Sequence, residues 1–284
     1  MIRLNVRFEL DYLVNSGQAS FIFNVQPAFT LAQTVLHEQL VVTDGAIWHE
    51  RAVPGSTNRL ISVKAAAGTL HMSYQAEVTL LPVIEGTEHL AEAEVSSLPD
   101  SVLPFLTPSR YCESDRLLNF AEASFGQLPS GYARVLAIRD WVRSNVKYSS
   151  LVSSTRTSAV ETLTERVGVC RDFAHVMIAL CRAMSIPARY VTGTDFGADP
   201  GKPPDFHAYV EVWLGQRWYI FDPSGMGIPM GYLRIGTGRD AADVPFAMMF
   251  GDVTSEFAPL VRATPVEGPG LMLPHHVDGA LSTA

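Results

Sequence analysis

Through about residue 105, apolar and polar positions alternate in short runs. Phe21-Ile22-Phe23-Asn24-Val25, Leu40-Val41-Val42-Thr43, Arg59-Leu60-Ile61-Ser62-Val63 and residues 70–78 are rich in β-branched and aromatic residues. Turn signals such as Asn15-Ser16-Gly17, Thr43-Asp44-Gly45 and Pro54-Gly55 separate them. Short strands at this spacing predict an antiparallel β-sandwich. The prolines of residues 97–109 resist helix and mark a linker.

Beyond the linker the period becomes helical. Ser114 and Asp115 can cap a segment holding Leu117, Leu118, Phe120, Ala121 and Phe125. A longer helix is predicted over residues 132–146, with Val135, Ile138, Trp141, Val142 and Val146 on one side. Ser158 opens a third helix, with Glu161 three residues on as in a capping box, and this helix ends by Gly168. A fourth, from Cys170 to Met184, stops before Pro187 and places Phe173, Val176, Met177, Leu180 and Met184 on one buried face. Strands return at 188–192 and 206–214. A Gly215-Gln216 turn sends the chain back through 217–221 to Asp222-Pro223. Residues 224–250 read as irregular and glycine-rich, and the tail as loose. The chain therefore reads as α+β: a β-sandwich over 1–105, a core of helices packed on an antiparallel sheet over 106–263, and a loose tail over 264–284.

Composition narrows the function. With 284 residues, 47% hydrophobic and 18% charged, the chain can bury a sizeable core. Its net charge of -8 and lack of a basic face argue against nucleic acid as a partner. The three cysteines, Cys112, Cys170 and Cys181, show no pairing pattern, so a reducing compartment is expected. Residues 1–8 alternate and lack the apolar run of a signal peptide, and no run approaches the ~18 residues of a membrane span. The expectation is a cytoplasmic protein without a membrane partner.

The candidate chemistry centres on Gly168-Val169-Cys170-Arg171-Asp172-Phe173-Ala174-His175. Cys170 sits at a predicted helix N-terminus, where unpaired N–H groups and the helix dipole favour negative charge, so it can act as a nucleophile. In the predicted hairpin Leu214 faces Arg217, which sets Asp222 opposite Tyr209. His207 shares a face with Tyr209, so His207 and Asp222 become diagonal neighbours, roughly 7–8 Å apart at the backbone. His207 can then take the thiol proton and return it to a leaving amine, and Asp222 can orient the ring. The Cys170 N–H is a natural oxyanion donor, with Tyr148 or Tyr111 as a candidate second donor. Five residues along the helix, His175 is rotated about 140° from Cys170 and is expected to face away. A zinc site from Cys170, His175, Cys181 and His207 matches no common spacing. Asp195, Asp199 and Asp205 share a loop at irregular spacing, as solvated residues would. Each signal alone is commonly structural. The ordered set is far rarer by accident.

These residues resemble the transglutaminase-like superfamily, specifically the bacterial transglutaminase-like proteins often called cysteine proteases. The resemblance rests on the Gly168–His175 segment, Leu180-Cys181-Arg182-Ala183, Ile186-Pro187-Ala188-Arg189-Tyr190, Phe206-His207-Ala208, Glu211-Val212-Trp213 and Trp218-Tyr219-Ile220-Phe221-Asp222-Pro223. Arg110-Tyr111-Cys112-Glu113-Ser114-Asp115 and Gly238-Arg239-Asp240-Ala241-Ala242-Asp243 add to it, and the first hundred residues resemble the domain that often precedes this core. It implies a papain-like α+β core with nucleophile Cys170, base His207 and orienting Asp222, a protein or peptide substrate, and no cofactor. No acidic calcium loop is visible, so metal dependence is not carried over. Relatives of this fold include cross-linkers, proteases, peptide-N-glycanases and inactive members. Hydrolysis and acyl transfer, including transfer from a thioester donor such as coenzyme A, both stay open, as does a non-catalytic protein- or peptide-binding module. The oligomeric state is not legible.

Overall fold

A computed structural model describes residues 1–150, 152–194, 196, 205–255 and 259–284. Strands β1 (Ile2–Phe23), β2 (Gln33–Val42), β3 (Ile47–Ala52) and β4 (Arg59–Leu80) build the first sheet. β1 and β4 pair antiparallel from Ile2↔Leu80 to Phe23↔Ile61. Their alternation is strict: Ile2, Leu4, Val6, Phe8 and Leu10 are buried, while Asn5 and Arg7 between them are exposed.

The Asn15-Ser16-Gly17 signal, expected to end a strand, lies inside β1. The register slips there, between Val14 and Gln18, and Gly17 has φ 64°. The partner of Val14 is Gly68, with φ 127°. A β-bulge at glycine bends a strand without ending it. As a result the Tyr12 ring lies 5.4 Å from that of Phe21 and 5.6 Å from that of Phe23. In an unbent strand Tyr12 and Phe23 would stand roughly 36 Å apart. The expected sandwich is thus one sheet folded on itself, its layers sharing β1 and β4. Residues 59–63 and 70–78, read as separate strands, both belong to β4.

The chain continues through β5 (Val83–Glu85), α1 (Leu118–Phe125), α2 (Tyr132–Asn145), β6 (Lys147–Tyr148), α3 (Ala159–Glu165), β7 (Val167–Gly168) and α4 (Cys170–Ala183). Ser114 and Asp115 do not cap α1; they form their own 3₁₀ turn, Ser114–Arg116. The capping box of α3 is present, with Ser158 N donating to Glu161 Oε2 at 2.8 Å.

A second sheet has the order β10–β9–β8–β11, from β8 (Ala188–Thr194), β9 (Phe206–Leu214), β10 (Arg217–Phe221) and β11 (Leu233–Gly238). It is the wall between two cores. Val191, Tyr209, Leu233 and Ile235 join the core under the first sheet, while Tyr190, Ala208, Val210 and Val212 pack toward α4. α4 was expected to bury one face. Instead every residue from Asp172 to Arg182 is buried, because α1, α2 and α3 as well as β8 and β9 pack against it.

Three expectations fail on long-range pairing. Residues 224–250 are not irregular throughout: β11 pairs with β8 around a bulge between Arg234 and Gly236. Its pattern was masked by Arg234, a buried cation bonded to Glu211. β12 (Ala247–Phe250), β13 (Val253–Thr254) and most of β14 (Leu260–Pro265), assigned by sequence to the 106–263 core, pair with β1 of the first sheet. The tail is not loose at its far end, where β15 (Ala280–Ser282) pairs with β5 and is buried. Ala280 and Leu281 each fill one of the two cores. Asp195 and Asp199 lie outside the described residues. No helix among the described residues is long and apolar enough to cross a membrane.

Candidate active site

The start of α4 is held from three directions. β6 and β7 pair in parallel, Tyr148 opposite Gly168, and Ser149 N donates to Gly168 O at 2.9 Å. Asp172 Oδ2 accepts from Val169 N at 2.9 Å and so caps the helix from inside its first turn. Arg171 donates to Asp172 Oδ1 at 3.0 Å, to Ser153 Oγ at 2.7 Å and to Ser154 O at 2.5 Å. Gly168 is required by packing: a Cβ there would lie 2.7 Å from Asp172 Cβ. Cys170, the first residue of this fixed helix, is half-buried. Its backbone N–H is among those with no intrahelical partner.

The hairpin has the predicted register, Arg217↔Leu214 through Phe221↔Val210. Gly215 and Gln216 both take positive φ, 51° and 73°, as a two-residue turn of this twist requires. Asp222 therefore emerges beside Tyr209, and His207 Nε2 lies 3.2 Å from Asp222 Oδ2. Both residues are buried, and Cys170 lies close enough to His207 to raise the pKa of its imidazole. The sequence-predicted residues Cys170, His207 and Asp222 thus meet in one place.

Electrostatics favour charge separation here. Burial alone would lower the His207 pKa. The Asp222 carboxylate, through charge and hydrogen bond, and Cys170 overcome this and hold the imidazole well above its ordinary value. Burial likewise opposes ionisation of Asp222, yet His207, Tyr232 and Ser224 hold that carboxyl well below the usual carboxylate range. Its Oδ1 accepts from Ser224 N at 2.8 Å and Ser224 Oγ at 2.7 Å, and its Oδ2 accepts from Tyr232 Oη at 2.5 Å. Arg143 donates to the Asp222 carbonyl at 2.7 Å.

Sequence reasoning missed Ser224, Tyr232 and Arg143. Ser224 had a readable signal, since an Asp-Pro-Ser turn invites the side chain to bond the backbone two residues on. Tyr232 and Arg143 had none, as both arrive by tertiary packing.

The other candidates have different surroundings. His175 is fully buried between the rings of Tyr111 (5.1 Å) and Tyr190 (5.2 Å). Its Nε2 accepts from Ala241 N at 3.2 Å. Burial, followed by the charges of Arg171 and Arg182, keeps its pKa well below the ordinary imidazole value. Tyr111 Oη already donates to Thr155 O at 2.7 Å, so its proton is committed elsewhere. Tyr148 pairs opposite Gly168 at the start of α4 and is exposed. Cys112 and Cys181 are fully buried, and burial pushes both thiols far up. No group of three His, Cys, Asp or Glu among the described residues is placed to hold a metal ion.

Comparison with known proteins adds family context. The description "Transglutaminase-like superfamily" matches residues 119–223, and "Bacterial transglutaminase, N-terminal domain" matches residues 2–101. A solved structure from Cytophaga hutchinsonii, of a protein provisionally assigned as a cysteine protease, is similar along the whole chain. It shares 39% identity with a TM-score of 0.92, covering 100% of this chain and 98% of that one. An uncharacterised protein of Mycobacterium leprae is 35% identical over 116 residues, 39% of this chain and 41% of that protein. An uncharacterised Mycobacterium tuberculosis protein is 34% identical over 117 residues, 37% of each chain. The chain thus matches about two fifths of the length of these mycobacterial relatives.

Proposed function

This chain belongs to the transglutaminase-like superfamily, and on that premise we propose that it is a thiol enzyme acting on amide or peptide bonds. One observation carries the reading: the half-buried Cys170, at a helix start, lies beside a buried His207 whose Nε2 is 3.2 Å from Asp222 Oδ2. Cys170 attacks the substrate carbonyl, with its proton passed to His207. The oxyanion that forms is met by the Cys170 N–H. His207 gives its proton to the leaving amine, the C–N bond breaks and a thioester remains. His207, now neutral, takes a proton from the incoming nucleophile as that nucleophile attacks the thioester and expels Cys170. Water as nucleophile completes a hydrolysis, and an amine completes a transfer. We favour hydrolysis, since no amine-acceptor pocket is legible in the sequence and water is always present.

The test is a peptide library incubated with the protein, with ammonia and new amino termini measured in parallel. New amino termini identify a peptidase, and ammonia identifies an amidase or a glutamine-directed transferase. Cys170→Ala should abolish both products and labelling by a thiol-directed amide-mimic probe. Full labelling of that variant would remove the assignment, and no turnover with normal ligand capture would favour a binding module.

A further inference from the structure

We propose that Tyr232 is a positioning residue of this site, acting through Asp222 to set how firmly His207 holds its proton. The inference rests on the roles of Cys170, His207 and Asp222 given above. Tyr232 is wholly buried and immediately precedes β11. Its hydroxyl donates to Asp222 Oδ2, the same oxygen that faces His207 Nε2. Oδ1 is held separately by the backbone and side chain of Ser224. The two carboxylate oxygens are therefore divided, one serving as anchor and the other shared between an imidazole and a phenol.

The phenol is also oriented. Its ring packs 5.0 Å from the His207 ring and 5.1 Å from the Tyr209 ring. The loop backbone presses on it at Gly227, where a Cβ would stand 2.6 Å from Tyr232 Cε1 and 2.8 Å from its Oη. Ring packing would be served equally by phenylalanine. What the hydroxyl adds is a second donor on Oδ2. Among the described residues, the groups facing His207 are Cys170 from α4, Asp222 beyond β10, Tyr209 on its own strand, and Tyr232. Of these, Asp222 carries the charge that binds the imidazolium, and Tyr232 is the donor that competes for it.

The consequence is a graded pull. A donor on Oδ2 withdraws charge from it, so His207 is bound firmly enough to stay protonated beside Cys170 yet can release that proton to a leaving amine. Without the hydroxyl, Oδ2 binds the imidazolium more tightly and the carboxylate is less fixed. Tyr232→Phe should therefore raise the His207 titration midpoint, read by NMR of labelled histidine with His207→Gln for assignment, by about half a pH unit or more. It should lower kcat about tenfold with KM unchanged. A fluorotyrosine at 232, a more acidic and stronger donor, should move the midpoint the opposite way. A midpoint unmoved by either replacement would reduce Tyr232 to a packing residue and overturn the proposal. If Tyr232→Phe fails to fold, the fluorotyrosine result decides alone. The titration needs no turnover, so it separates the two readings: a moved midpoint with full activity in Cys170→Ala would keep the coupling and remove the functional assignment.

Discussion

His175 predicts a specific loss of stability in mild acid. The ring is sealed between Tyr111 and Tyr190, and its Nε2 is occupied in accepting the Ala241 N–H. Protonating Nε2 would break that bond and place a cation near Arg171 and Arg182, which already hold the imidazole neutral. The unfolded chain has no such constraint and takes up a proton below about pH 6.5. Since the unfolded state then binds one more proton than the native state, stability falls as pH falls, by about 1.4 kcal/mol per pH unit. At about pH 5 the loss is roughly 2 kcal/mol, a large part of the 5–15 kcal/mol typical of a domain. His207 does not obscure this window. Its native pKa is raised, so below about pH 6.5 it is protonated in both states and contributes no slope. The depressed carboxylates, Asp222 among them, act only below about pH 5. Urea unfolding of the wild type and His175→Gln between about pH 5 and pH 7.5 tests the argument. The variant is expected to be less stable throughout but flat with pH across the acid window. The same slope in both proteins would refute the account of His175.

Gly168→Ala is expected to cost about 1–3 kcal/mol in urea unfolding and to impair turnover, because the new methyl group meets Asp172 Cβ at 2.7 Å and displaces the helix cap. Normal stability and activity would show that the cap tolerates the shift. Arg182→Met should destabilise by at least about 3 kcal/mol, since it strips donors from the carbonyls of Ala188, Thr107 and Arg239 and from Ser109 Oγ; an unchanged denaturation midpoint would contradict this. Iodoacetamide should place a single label on the native protein, at Cys170, because Cys112 and Cys181 are fully buried thiols pushed far up by burial. Mass spectrometry should find all three cysteines labelled in denaturant, and rapid native labelling of Cys112 or Cys181 would count against the packing described.

What was legible in the sequence was local. The two-residue turn at Gly215-Gln216 fixes the hairpin register, and the register fixes the faces, so His207 and Asp222 could be paired from alternation alone. The capping box at Ser158 and the helix start at Cys170 were likewise written in adjacent residues. What failed was non-local or disguised. Asn15-Ser16-Gly17 has the composition of a turn, yet a bulge uses the same residues to bend a strand. Arg234 broke the apolar pattern of β11 because its partner, Glu211, lies on another strand. Tyr232 reaches Asp222 from across an irregular, glycine-containing loop, and no periodicity records such an approach.

The pairing of β1 with β14 has a consequence for how the protein is made. Leu4 pairs with Pro265 and Glu9 with Leu260, so these partners lie roughly 250 residues apart in the chain. A ribosome releasing 5–20 residues per second would expose the bare edge of β1 for roughly ten seconds to a minute before its partner emerged. The first hundred residues are thus not a unit that can be completed early in synthesis. Such an edge is a template for another chain, so the nascent protein should depend on chaperones, and shortening it before residue 260 should promote aggregation.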